Sequence, residues 1–171
     1  LNSSFSMVFI KNTLGSGPQG VFSFASTLSN VVTVVQAGFA TFWGAFVYAN
    51  YRTEQAKIRR VHDYLDFIIL TFFVLLVLFE NVIFWILPNY AEALSIFPLM
   101  MLAAVFTILS EGTVYGISIA RKPIFDTMGI GLSLLANILL CYLLTPALGL
   151  TGAALALALS SFAMFLFRTL I

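Results

Sequence analysis

The chain has 171 residues, 61% of them hydrophobic and 9% charged, with a formal net charge of +1. That balance excludes a soluble helical domain, in which every helix needs a charged face, and it offers no basic surface for nucleic acid. A single cysteine, Cys141, and a single histidine, His62, exclude an internal disulfide and argue against a multi-ligand zinc site.

Apolar runs of about 20 residues recur along the chain, each long enough to cross a hydrocarbon core of roughly 30 Å. The first piece, residues 1–10, is too short to span. It opens at Leu1 with no charged leader or cleavage site, so the expectation is a chain that begins inside a helix, as part of something longer. The break "KNTLGSGPQG" follows, with Gly15, Gly17, Pro18 and Gly20. A helix is expected over 21–50, then a charged cytoplasmic linker over 51–63. Further helices are expected over 64–87, 94–120, 125–144 and 151–171, separated by "PNYAEA", "ARKP" and "TPALGLTG". The fold class that emerges is all-α integral membrane, with about six crossings.

Loop charges give the orientation. Cytoplasmic loops collect Lys and Arg, and successive loops alternate sides. Alternation puts Arg52, Lys57, Arg59, Arg60, Arg121, Lys122 and Arg168 on one side, leaving Lys11 and Glu92 opposite. The C-terminus is then cytoplasmic. Asp63, Asp66 and Asp126 near helix starts, and Arg121 and Lys122 near a helix end, also suit the helix dipoles.

Three helical faces stand out. Ser23, Ser26, Asn30, Thr33, Ala37, Ala40 and Gly44 fall on one stripe of the 21–50 helix, which in lipid means close helix packing or a wet surface. Asn30 and Gln36 are the best cavity candidates there. Gly152, Ala156 and Ser160, at steps of four with Ala154 and Ala158 alongside, form a contact face of the last helix. Glu111 lies ten residues before Arg121, about 15 Å along a helix and near the bilayer centre. A lipid-facing charge at that depth costs at least about 2.5 kcal/mol, so it should point inward. Thr107, Tyr115 and Ser118 share its stripe. Two readings stay open: a glutamate hydrogen-bonded between helices, or a cavity carboxylate that binds a cation, takes up a proton or contacts substrate. Glu80, five to seven residues from the outer end of its helix, reads as structural.

The charged stretch with Arg59, Arg60, His62, Asp63 and Asp66 reads as a helical linker that sets topology and touches anionic headgroups. No nucleophile accompanies His62 in a recognisable arrangement. No phosphate-cradling glycine motif followed by Lys-Ser or Lys-Thr is present, so the chain carries no nucleotide hydrolysis of its own.

The stretch "NILLCYLLTPALGLTGAALALALSSFAMFLFR", with Asn137, Pro146, Gly149, Gly152, Ala153 and Ala154, resembles the last helices of polysaccharide flippases. These belong to the multidrug/oligosaccharidyl-lipid/polysaccharide exporter superfamily. Upstream, Leu14, Gly15, Gly20, Phe22, Ser23 and Ala25, followed by Trp43 and Tyr48, resemble another stretch of that family, and "ARKP" resembles its short basic loop. The resemblance runs over nearly the whole chain. It implies one six-helix lobe, helices seven to twelve, of a two-lobe, MATE-like transporter whose N-terminal lobe is the missing partner. It implies as substrate an oligosaccharide carried on a polyprenyl pyrophosphate, moved to the outer face of a bacterial plasma membrane by alternating access. No cofactor is implied beyond a coupling ion, H+ or Na+. Membrane lipids and polysaccharide assembly proteins are the expected partners.

A sugar–pyrophosphate headgroup needs a hydrated, cationic path. Arg59, Arg60, Arg121 and Lys122 are the candidates at the cytoplasmic mouth, and Lys11 near the outer side. The alternatives keep the fold and change the cargo, to a peptidoglycan precursor or a drug. A membrane glycan polymerase or transferase would need large charged outer loops, which this sequence lacks. A purely structural scaffold leaves the midplane carboxylate unexplained.

Overall fold

The computed structural model describes residues 2–171, apart from the side chains of Val35, Gln36, Phe39 and Asn89. The fold is all-α, and the described residues contain no strand. In chain order the helices are α1 (Asn2–Thr13), α2 (Ser16–Asn50), α3 (Gln55–Leu78), α4 (Glu80–Ile86), α5 (Phe97–Ile119), α6 (Pro123–Leu148) and α7 (Leu150–Leu170). A 3-10 segment, Pro88–Ser95, joins α4 to α5. Among the described residues four helices, α3, α5, α6 and α7, are long and apolar enough to cross a membrane. Against the expected six crossings, α1 at 12 residues stays too short, and the 35-residue α2 carries its polar stripe.

The differences in helix boundaries have local causes. The expected break at 11–20 narrows to Leu14 and Gly15, where Gly15 adopts φ 96°. Gly17, Pro18 and Gly20 sit inside the start of α2. Pro18 is tolerated because the amide groups of a first helical turn have no intrahelical partner to lose. The expected linker over 51–63 shrinks to a turn near 51–54, and its remainder is the first part of α3. The helix expected over 64–87 is interrupted at Phe79, whose φ −96° and ψ 8° leave the helical range. Pro146 does not end α6 at residue 144; the helix runs on to Leu148 and stops at Gly149, with φ 61° and ψ −135°. Side chains rarely adopt that conformation, so glycine is required at this turn.

The most extensive packing is α7 against α6 and α5, and α1 inserts against α2, α6 and α7. The core includes Ile10, Phe22, Phe97, Met100, Met101 and Leu157. Gly152, Ala154, Ala156, Ala158 and Ser160 are all buried, so the small-residue face of α7 is a packing face. A Cβ at Gly152 would run into the backbone carbonyl of Leu144 on α6. Several polar groups inside this contact pair with one another. Asn2 Nδ2 donates to Ser133 Oγ at 2.7 Å, Ser133 Oγ donates to the Ser160 carbonyl at 3.0 Å, and Ser6 Oγ donates to Asn137 Oδ1 at 3.2 Å. Water is absent from hydrocarbon, so such groups must pair internally. By contrast α3, 24 residues long, has no buried residue.

Candidate functional site

Arg168 lies in the last turn of α7, where a basic residue near a helix end suits the helix dipole and would be expected to reach for the headgroups. It does the opposite. Its side chain is 3% exposed and reaches α5 and α6. Side chains on a helix lean toward its N-terminus, which carries this guanidinium back toward the middle of the bundle. Nη1 donates to Ser110 Oγ at 2.9 Å and to Glu111 Oε1 at 3.3 Å. Nη2 forms an ion pair with Asp126 Oδ1 at 2.5 Å.

Each partner is held by its own helix for a separate reason. Ser110 and Glu111 lie about two turns before the end of α5. Asp126 is in the first turn of α6, where a carboxylate also meets the exposed amides of the helix start. Gly129, one turn further along, faces Phe167 and Arg168 and lets α6 approach α7. Glu111, with its side chain 45% exposed, therefore has a cationic partner that the sequence reading counted only as a topology charge. The small-residue steps 152, 156 and 160 continue through Met164 to position 168, which is the signal that could have found it.

Two larger cavities flank this triad, and Arg168 lines both. The first, about 340 Å³, is lined by Asn30, Thr33, Thr107, Glu111, Ser161 and Arg168, among others. It brings together three of the expected cavity residues, Asn30, Thr107 and Glu111. The second, about 570 Å³, includes Tyr51, Arg59, Thr113, Tyr115, Lys122 and Arg168 in its wall. Of the five candidate pyrophosphate contacts, Arg59 and Lys122 line this mouth. Arg60, Arg121 and Lys11 are exposed and line none of these cavities. Arg121, at φ 57°, sits in the turn between α5 and α6.

The expected stripe on α5 divides. Thr107 faces the first cavity and Tyr115 the second, whereas Ser118 is exposed and lines neither. Tyr115 instead ties α5 to α2: its hydroxyl donates to the Ala40 carbonyl at 3.2 Å, and its ring lies against Gly44. The α2 stripe divides in the same way. Ser26, Asn30 and Thr33 line the first cavity, Gly44 packs, and Ala37 is exposed. Gln36 lies outside the described residues. Glu80, read as structural, opens α4, with Oε2 buried and without a hydrogen-bond partner among the described residues.

His62 departs most from expectation. It is half-buried on α3, not part of a solvated linker. Nδ1 lies 3.1 Å from Asp66 Oδ2, and the ring packs on Gly112, next to Glu111. A third, small cavity of about 30 Å³ lies between them, with His62, Asp66, Glu111 and Tyr115 in its wall. The described residues contain no cluster of three or more His, Cys, Asp or Glu side chains placed to hold a metal ion.

Comparison with protein-family models, with curated proteins and with solved structures gives no match.

Proposed function

We propose that this chain is one lobe of a membrane transporter that moves a polyprenyl-pyrophosphate-linked oligosaccharide from the cytoplasmic to the outer face of a bacterial plasma membrane. The observation that carries the reading is the Glu111–Arg168–Asp126 triad, set between two cavities whose walls include polar side chains, among helices of membrane-spanning length. Ionised groups among membrane-spanning helices are costly to keep and mark transport paths or their counter-ions. A packing role alone needs neither cavity.

In this mechanism Arg59 and Lys122 attract the pyrophosphate at the mouth, and the lipid tail stays in hydrocarbon. Glu111 is the coupling carboxylate, alternating between Arg168 and a proton or Na+. Occupation of Glu111 by the ion removes one of the two carboxylates that hold Arg168. The contact between α5 and α7 is thereby weakened while α6 keeps its hold through Asp126. A second lobe completes the path, in the manner of parallel-repeat transporters.

The experiment is Glu111→Gln in the full-length protein, expressed in a strain lacking its own flippase, with surface polysaccharide as the readout. Loss of polysaccharide at normal protein level is expected. Full polysaccharide at normal protein level removes the carboxylate from the mechanism.

A further inference from the structure

We propose that His62 relays protons between the mouth cavity and Glu111; the inference rests on the coupling role given to Glu111 above. The ring lines both the mouth cavity and the small inner one, and Glu111 lines the inner one and the 340 Å³ cavity beyond. The inner cavity therefore adjoins the mouth cavity at His62 and the 340 Å³ cavity at Glu111, beside the place where the two larger ones meet at Arg168. The inner cavity, about 30 Å³, has room for a water molecule, and within its largely apolar wall His62, Asp66, Glu111 and Tyr115 supply polar groups.

The ring is oriented for this work. Nδ1 donates to Asp66 Oδ2 at 3.1 Å, one helical turn away on α3, which fixes the tautomer and leaves Nε2 to exchange protons. Nε2 lies over Gly112, where a Cβ would come within 2.8 Å of it. Glycine at that position is what allows the imidazole to sit beside residue 111. Glu111 meets Arg168 through Oε1, and its side chain also lines the inner cavity.

The charged groups around His62 come from every neighbouring element. From α3 these are Arg59, Asp63 and Asp66, and from α5 Glu111 and Tyr115. Tyr51 at the end of α2, Lys122 at the start of α6 and Arg168 of α7 face the same mouth.

The step balances as follows. A hydronium ion in the mouth protonates Nε2 and departs as water. Nε2 then gives its proton to the inner water, which passes one of its own to Glu111 Oε2. The products are neutral imidazole, neutral glutamic acid and unchanged inner water. Arg168 keeps its ion pair with Asp126.

The test uses the full-length protein in lipid nanodiscs, a rapid pH drop and time-resolved infrared detection of carboxyl protonation. The Glu111 band is the one that Glu111→Gln removes. In His62→Ala and His62→Gln that band is expected to rise at least about tenfold more slowly than in wild type, because a general acid–base group is lost. Free imidazole is expected to restore the rate in His62→Ala. Wild-type rates in both variants would overturn the relay and leave Glu111 as the coupling group. Slowing that imidazole does not restore would make His62 a packing residue and also overturn the relay. If no band depends on Glu111, the coupling role falls and the relay with it.

Discussion

Helices α3 and α7 have the same mean hydropathy over their most apolar stretches, yet nearly half of that stretch is buried in α7 and none of it in α3. Residue size separates them. Gly152, Ala153, Ala154, Ala156, Ala158, Ser160 and Ser161 are buried on α7, whereas α3 exposes Phe67, Ile68, Leu70, Phe72, Val74 and Leu75. In hydrocarbon a large apolar side chain gains nothing by leaving the lipid, which is as apolar as itself. Helix association comes from close backbone approach and shared polar groups. Apolarity therefore marks both as membrane helices, and side-chain volume decides which becomes the core.

The strongest way to break this comparison is to give α7 the bulk of α3. Gly152→Leu drives a side chain into the Leu144 carbonyl, which is backbone and cannot rotate away. We expect a loss of about 3 kcal/mol or more, at the upper end for overpacking. Cys141 is the only thiol and is fully buried on α6, so its reaction with a thiol dye on heating in detergent reports the opening of this contact. Gly152→Leu is expected to expose it at the lowest temperatures. Gly131→Ala, at a glycine with nothing within 4 Å of the added Cβ, is the matched control and should leave the profile unchanged.

The second test removes charge in place of space. Arg168→Met leaves Glu111 and Asp126 facing each other's field without their cation. A fully buried ion pair broken on one side costs about 3–5 kcal/mol. The carboxylate side chains here are 45% and 31% exposed, so about 2–3 kcal/mol is the expected loss. Adding Glu111→Gln and Asp126→Asn to Arg168→Met should recover most of the thermal stability and none of the transport. No recovery of thermal stability would place the instability in lost packing by the arginine stem.

What could be read from the sequence follows the same division. Membrane-spanning length and the α7 packing face both rest on local spacing, and spacing is visible in one dimension. Arg168 was read only as a loop charge, because proximity to a helix end looks the same whether a side chain turns outward or back along its helix. His62 was assigned to a helical linker touching headgroups, because the charged residues around it gave no sign that this helix packs on Gly112 of α5. The interruption at Phe79 falls in "VLLVLFENVIF", which has neither glycine nor proline to announce it. Ser118 shares its helix face with Glu111, but α5 meets different neighbours along its length, and periodicity carries no information about where a neighbour ends.

The smallest effect expected is also the one that tests the comparison from the side of α3. Leu78 is 69% exposed and Leu157 on α7 is 8% exposed. Truncating either leucine to alanine removes the same atoms. In water the two would differ by the transfer of those atoms out of solvent as well as by the cavity left behind. In lipid or detergent the transfer contribution vanishes from the comparison, because the exposed leucine already rests in an apolar medium. Only lost contacts and unfilled space remain, and those belong to Leu157. Leu157→Ala is therefore expected to lower stability by about 1–2 kcal/mol, below the range for soluble cores. Leu78→Ala should fall within about 0.5 kcal/mol of wild type. Equal losses, read by the same Cys141 reaction, would mean that α3 is packed as tightly as α7 in the membrane, against a surface that this chain does not itself provide.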